Sequence, residues 1–179
     1  KDFSESMNMP KEKWDSDTMR TFQERVSEIA STHYFGFDIN PDLVKATKMN
    51  MVMNNDGSGN ILQSNSLLPP HEWTEEFRSK LGEALGISAS DIRSHNAMGY
   101  FDIIVTNPPF GSKIPIEDDN ILKQFELAHI WENNKETGRW TMTLKMQHSV
   151  PPEILFIERC LQFLKPKGRM GIVLPDSIL

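Results

Sequence analysis

Apolar positions along the chain change period several times, and each change marks an element. Met19, Phe22, Val26, Ile29 and Ala30 recur at three- and four-residue spacing, which predicts an amphipathic helix over residues 18–31. The preceding residues 1–17 are polar and aperiodic, and are expected to be loop or disordered. Residues 34–39, "YFGFDI", predict a short buried strand. Asn40 is placed to cap a following helix that opens at Pro41, with Asp42 near the positive end of its dipole. That helix is expected to stop in "NNDGSG", residues 54–59, before a second strand within residues 60–68.

Farther on, residues 69–99 form an excursion with a helix over 71–86 stopped by Gly86 and a loop after it. Residues 101–106, "FDIIVT", predict a third strand with Ile103, Ile104 and Val105 buried. Residues 111–150 lack a clear period and predict a long loop region, of the kind that is functional or mobile in a compact domain. Two prolines open a last helix with Ile154, Ile157, Leu161 and Leu164 on one stripe. A turn at 165–168 and a strand over 169–174 complete the pattern. Strands alternating with helices predict an α/β fold with a mostly parallel sheet flanked by helices, read as one domain over residues 1–179.

Composition narrows the functional classes. No run of 18 apolar residues and no basic-then-apolar start occurs in the chain, so neither a membrane span nor a secretory signal is expected, and the cytoplasm is the expected compartment. Cys160 has no internal disulfide partner, and the five histidines show no metal-ligand spacing, so no metal is expected. A formal charge of −6 does not describe a surface that grips nucleic acid alone. Phosphate contacts would come from a local patch or another chain.

The candidate chemistry lies at "TNPPFGS", directly past the carboxyl end of the third strand, where α/β sheets place ligands. Pro108 and Pro109 hold the backbone extended and offer no donor. The Asn107 amide oxygen adds an acceptor beside the carbonyls, and Phe110 adds a flat apolar face. Converging acceptors beside a ring suit a planar heterocycle with an exocyclic amine. Bonds from both N–H groups to fixed oxygens favour a lone pair localised for attack. The other reading of the same residues is a stiff turn that ends the strand.

The corner resembles the NPPF signature of S-adenosylmethionine-dependent amino-methyltransferases, particularly the N6-adenine DNA methyltransferases. With "FGFDINPDLVKATKMNMVMNN" and "PPEILFIERCLQFLKPKGRMGIVLPDSIL" in order, residues 34–179, with a gap at the excursion, resemble the modification subunit of type I restriction–modification systems. The resemblance implies a Rossmann-like methyltransferase fold with S-adenosylmethionine as cofactor. It implies a flipped adenine of DNA as substrate, stacked on Phe110, with its N6 hydrogens on Asn107 and the Pro108 carbonyl. Cofactor contacts map onto Asp38 for the ribose hydroxyls, Ile39 and Asn65 for its adenine, and Asn107. Asp38 also has a plain role in a helix-capping turn. Glu153 and Phe156 would wall the target pocket, although core packing explains Phe156 equally well.

The family's first strand and glycine-rich loop have no counterpart upstream of Asp38, since residues 1–32 contain no glycine. The expectation is therefore a partial catalytic domain, weak in cofactor binding and inactive alone. A specificity subunit and a restriction subunit are the implied partners. Related NPP-aromatic corners leave protein glutamine and the N2 of RNA guanine as other substrates, and a non-catalytic assembly module as another role.

Overall fold

The computed structural model describes residues 10–54, 58–93, 98–110 and 114–178, which fall into two units, Lys1–Ser64 and Asn65–Leu179. Parts of four expectations therefore lie outside the described residues: the loop at 1–9, Asn55 to Gly57 of the helix stop, the excursion loop at 94–97, and Gly111 to Lys113 after the corner.

In the first unit, Asp15 accepts a hydrogen bond from the Thr18 N–H at 2.8 Å and so starts helix α1, Ser16–Thr32. Strand β1, Gly36–Asp38, runs parallel to β2, Ile61–Gln63, with Phe37 opposite Leu62. Helix α2, Pro41–Met53, makes the crossover between them. Its start is as expected: the Asn40 side chain accepts from the N–H groups of Asp42 and Leu43, and Pro41 occupies the first turn. The Asn60 amide donates to the Ser31 carbonyl at 2.7 Å, fixing the end of α1 beside the approach to β2. Ile61 and Leu62 are buried, and Gly36 lies where an added Cβ would meet Ile61 Cδ1 at 2.9 Å.

The second unit begins with the turn after β2 and continues through α3, Glu75–Leu85. Thr74 caps α3, and Gly86, at φ 67°, ends it by the left-handed turn expected of that glycine. Strand β3, Phe101–Thr106, is followed by a short helix α4, Asp119–Leu122, and by two strands, β4, His129–Asn134, and β5, Arg139–Met146. Helix α5, Pro152–Phe163, then leads directly into β6, Leu164–Ile172, which pairs parallel with β3. Leu67, Ile121, Leu122, Phe125, Ala128, Val150 and Leu155 form one core cluster. A run of edge-on rings, Phe77, Trp73 and Phe163, forms another part of the interior.

Several expectations need correction. The chain is mixed helix and strand with small parallel sheets: each strand pair belongs to its own two-stranded sheet among the described residues, in place of one mostly parallel sheet. Ile103 and Val105, which share one face of β3, are 58% and 82% exposed, contrary to the buried strand expected, while Ile104 on the other face is half-buried. The region read as a long loop contains the antiparallel β4–β5 hairpin. Its turn was masked by charge, because "NNKETGR" supplies the closing geometry through Asn134, whose side chain accepts from Glu136 and Thr137, and Gly138 at φ 67°.

The stripe expected on the last helix is also rotated. Leu155, Arg159 and Phe163 are buried at four-residue spacing, while Leu161 is 57% exposed. An arginine in the buried row reads as polar and hides it. The turn expected at 165–168 occurs as an irregularity inside β6, where the six residues from Leu164 to Arg169 face only the three from Phe101 to Ile103 and Lys167 adopts φ 70°.

Candidate active site

The β3–β6 ladder ends where the Val173 N–H donates to the Thr106 carbonyl at 3.1 Å. The next residue is Asn107, and there the backbone leaves the sheet. Pro108 is buried and holds the corner, whereas Asn107 and Pro109 are exposed and Phe110 is 46% exposed. Neither the Asn107 side chain nor the Pro108 carbonyl takes a hydrogen bond from any described residue. An exposed amide side chain and an exposed ring thus stand on one turn, beside a Pro108 carbonyl that no described residue engages. At the other end of this strand pair, Lys165 donates to Asp102 at 2.8 Å, and that bond holds the Asp102 carboxyl below its usual range.

Asn65 sits half-buried on the turn after β2. Its Oδ1 accepts from the Leu67 N–H at 3.1 Å, and its backbone carbonyl accepts from the Leu68 N–H at 3.2 Å. This side-chain turn ends β2 early, at Gln63. The Asn65 side-chain –NH2 has no partner among the described residues and is available as a donor.

Asp38 and Ile39 belong to the first unit. One Asp38 carboxylate oxygen accepts from the Asn40 N–H at 2.7 Å, so the helix-entry role is real. The second oxygen takes no hydrogen bond among the described residues, and its lone pairs are free to accept one. Ile39 is 63% exposed, an open apolar surface beside that carboxylate. Within the first unit, a carboxylate oxygen and an apolar face thus stand side by side.

Glu153 is buried near the start of α5, and Phe156 packs half-buried against the Leu155 cluster. Phe156 is therefore part of the interior.

Sequence reasoning passed over Arg159. Its guanidinium, 1% exposed, donates through Nη2 to the Leu67 carbonyl at 3.1 Å, the Leu68 carbonyl at 3.4 Å and Gln124 Oε1 at 2.6 Å. It also stacks over Phe125 and Phe163, with 4.7 and 5.6 Å to the ring centroids. Burial pushes its pKa down to about 10, against the opposing charge of Glu158, and it remains a cation at neutral pH. The available signal was its place four residues after Leu155 and four before Phe163.

No described helix is long and apolar enough to cross a membrane. No curated protein and no solved structure matches the chain. A family model of N-6 DNA methylases matches residues 16–179, whose members use S-adenosylmethionine and share a methyltransferase fold; the chain belongs to this family of adenine DNA methyltransferases.

Proposed function

We propose that the Asn107–Phe110 corner binds the target adenine of DNA, and that the chain acts with S-adenosylmethionine as the modification subunit of a type I restriction–modification system. The two acceptors at Asn107 and Pro108 that no described residue engages, beside the exposed Phe110 ring, are the observation that carries the reading. The two oxygens accept the N6 hydrogens and turn the nitrogen lone pair out of conjugation with the ring. They also stabilise the positive charge that grows on nitrogen, without a strong base. Phe110 supplies the stacking surface that replaces the neighbours lost when the base leaves the duplex. Prolines at 108 and 109 keep these groups in place before substrate arrives, so little ordering remains to be done on binding.

Asp38, Ile39 and Asn65 are the residues assigned to the cofactor, together with Asn107. The cofactor supplies a methyl group on a positively charged sulfur. Residues 1–32 contain no glycine to cradle its methionine end, which supports weak cofactor binding by residues 1–179 alone. A Rossmann-like methyltransferase fold is part of the same proposal, supported by the family and by the two parallel strand pairs, β1–β2 and β3–β6. So are a specificity subunit and a restriction subunit as partners, supported by the order of the three motifs.

The test is product identification. The full natural chain, with labelled cofactor, is offered duplex DNA, RNA and protein together with the rest of its system. Label on adenine N6 of DNA supports the proposal, and label on guanine or glutamine overturns it.

A further inference from the structure

Arg159 is an unusual group for a helix interior. Among the described residues no carboxylate lies within ion-pair distance of it, so its charge is balanced by carbonyl oxygens, one amide, the Met98 sulfur at 3.4 Å and two ring faces. An unpaired buried charge costs far more than a methionine or leucine of similar volume would. What that arrangement fixes is the turn after β2. The Leu67 carbonyl receives both Arg159 Nη2 and Gln124 Nε2, the latter at 3.0 Å, and Gln124 in turn accepts from Arg159. The Leu67 and Leu68 N–H groups point the other way, into Asn65. The Leu67–Leu68 peptide is thus held from both sides, its carbonyl by Arg159 and Gln124 and its N–H by Asn65, while the Leu68 carbonyl is shared by Arg159 and the Trp73 indole N–H at 3.0 Å.

We propose that Arg159 is the positioning residue of the Asn65 turn, orienting the amide that contacts the cofactor adenine while touching neither cofactor nor DNA itself. This rests on the assignment of Asn65 to the cofactor. Gln124 is the second member of the clamp. Arginine suits the task because its planar fork reaches successive carbonyls and an amide at once, which lysine cannot do.

The experiment has two readouts. Amide hydrogen exchange at Leu67 and Leu68 reports the turn without cofactor, and calorimetry with S-adenosylmethionine on the full natural chain reports affinity. In Arg159→Met, exchange at those amides is expected to rise while that of Val44 in the other unit is unchanged. Affinity is expected to fall about tenfold. Asn65→Ala is expected to weaken binding as well, and Arg159→Met added to it is expected to cause no further loss, because the arginine acts through Asn65. Arg159→Lys should recover only part of the affinity.

Should Arg159→Met not fold, Gln124→Ala removes one donor from the Leu67 carbonyl, and a several-fold loss of affinity with faster turn exchange is expected. Unchanged turn exchange, or losses that add fully in the double variant, would overturn the proposal. Faster exchange with unaltered affinity in both Asn65→Ala and Arg159→Met would separate the cases: the clamp is then real, the cofactor assignment of Asn65 fails, and the proposal falls with it.

Discussion

Val173 hands its N–H to the Thr106 carbonyl at 3.1 Å, and with that bond the pairing of β3 is finished one residue before Asn107. The amide is therefore set by the sheet yet owes nothing to it. Everything proposed for the corner follows from this separation between a fixed base and free acceptors.

Phe110 is the simplest of these groups to test. Replacing it with alanine removes base stacking worth about 1–3 kcal/mol. In the full natural chain, Phe110→Ala should raise KM for DNA about ten- to a hundredfold, while Phe110→Tyr should change it little. Steady-state kinetics with DNA as varied substrate checks the split.

Gly168 anchors the irregular start of β6. A Cβ there would lie 2.8 Å from Leu164 Cδ2 and 2.9 Å from the Lys165 carbonyl. Backbone has little room to give, so Gly168→Ala should lower stability by about 1–3 kcal/mol in urea unfolding. Gly138, at φ 67° with open space around it, meets only the left-handed backbone penalty. Its alanine variant should cost about 1–2 kcal/mol and leave the corner's chemistry intact.

The Cys160 thiol is raised from 9.0 to about 11, first by burial and only partly offset by Arg159. The folded state holds this proton more tightly than the unfolded chain. The corresponding stability is intact below pH 9 and is lost as pH rises through about 11. Native protein at neutral pH should therefore resist thiol alkylation, whereas unfolded protein reacts. Between pH 9 and 11, Cys160→Ala should lose less stability than the parent, as measured by denaturant midpoints.

The β4–β5 hairpin presents Trp140 at 63% and Leu144 at 96% exposure. Its root is secured by Glu158, whose carboxylate accepts from the N–H groups of Glu126 and Leu127 at 2.8 Å each. Lys135, Arg139 and Lys145 outnumber Glu132 and Glu136 there, opposite in sign to the chain's −6. If the hairpin covers bound DNA, Trp140→Ala should weaken binding several-fold, and Arg139→Gln should reduce the salt slope by about one. Fluorescence anisotropy over a salt series measures both.

Local signals made much of this legible in the sequence. Asn40, Pro41 and Gly86 act over one turn of chain, and they end or begin helices where their chemistry dictates. The corner was legible because proline and asparagine carry their constraints with them. Arg159 was not, since a buried arginine is recognisable only once distant carbonyls, those of Leu67 and Leu68, are brought to it. The hairpin was missed because Trp140, Met142 and Leu144 alternate on a surface that stays exposed, so the usual inside–outside contrast is weak. Exposure of Val105 was equally hidden, for it depends on what covers that face of β3.

The central claim is that the Asn107 amide oxygen holds the amino group being methylated. Single-turnover methyl transfer to DNA by Asn107→Ala in the full natural chain, at saturating DNA and cofactor, tests it most directly. A drop of about 10²–10³ in rate, with DNA affinity kept within a few-fold, is the predicted result. A transfer rate equal to that of the unaltered protein would contradict it.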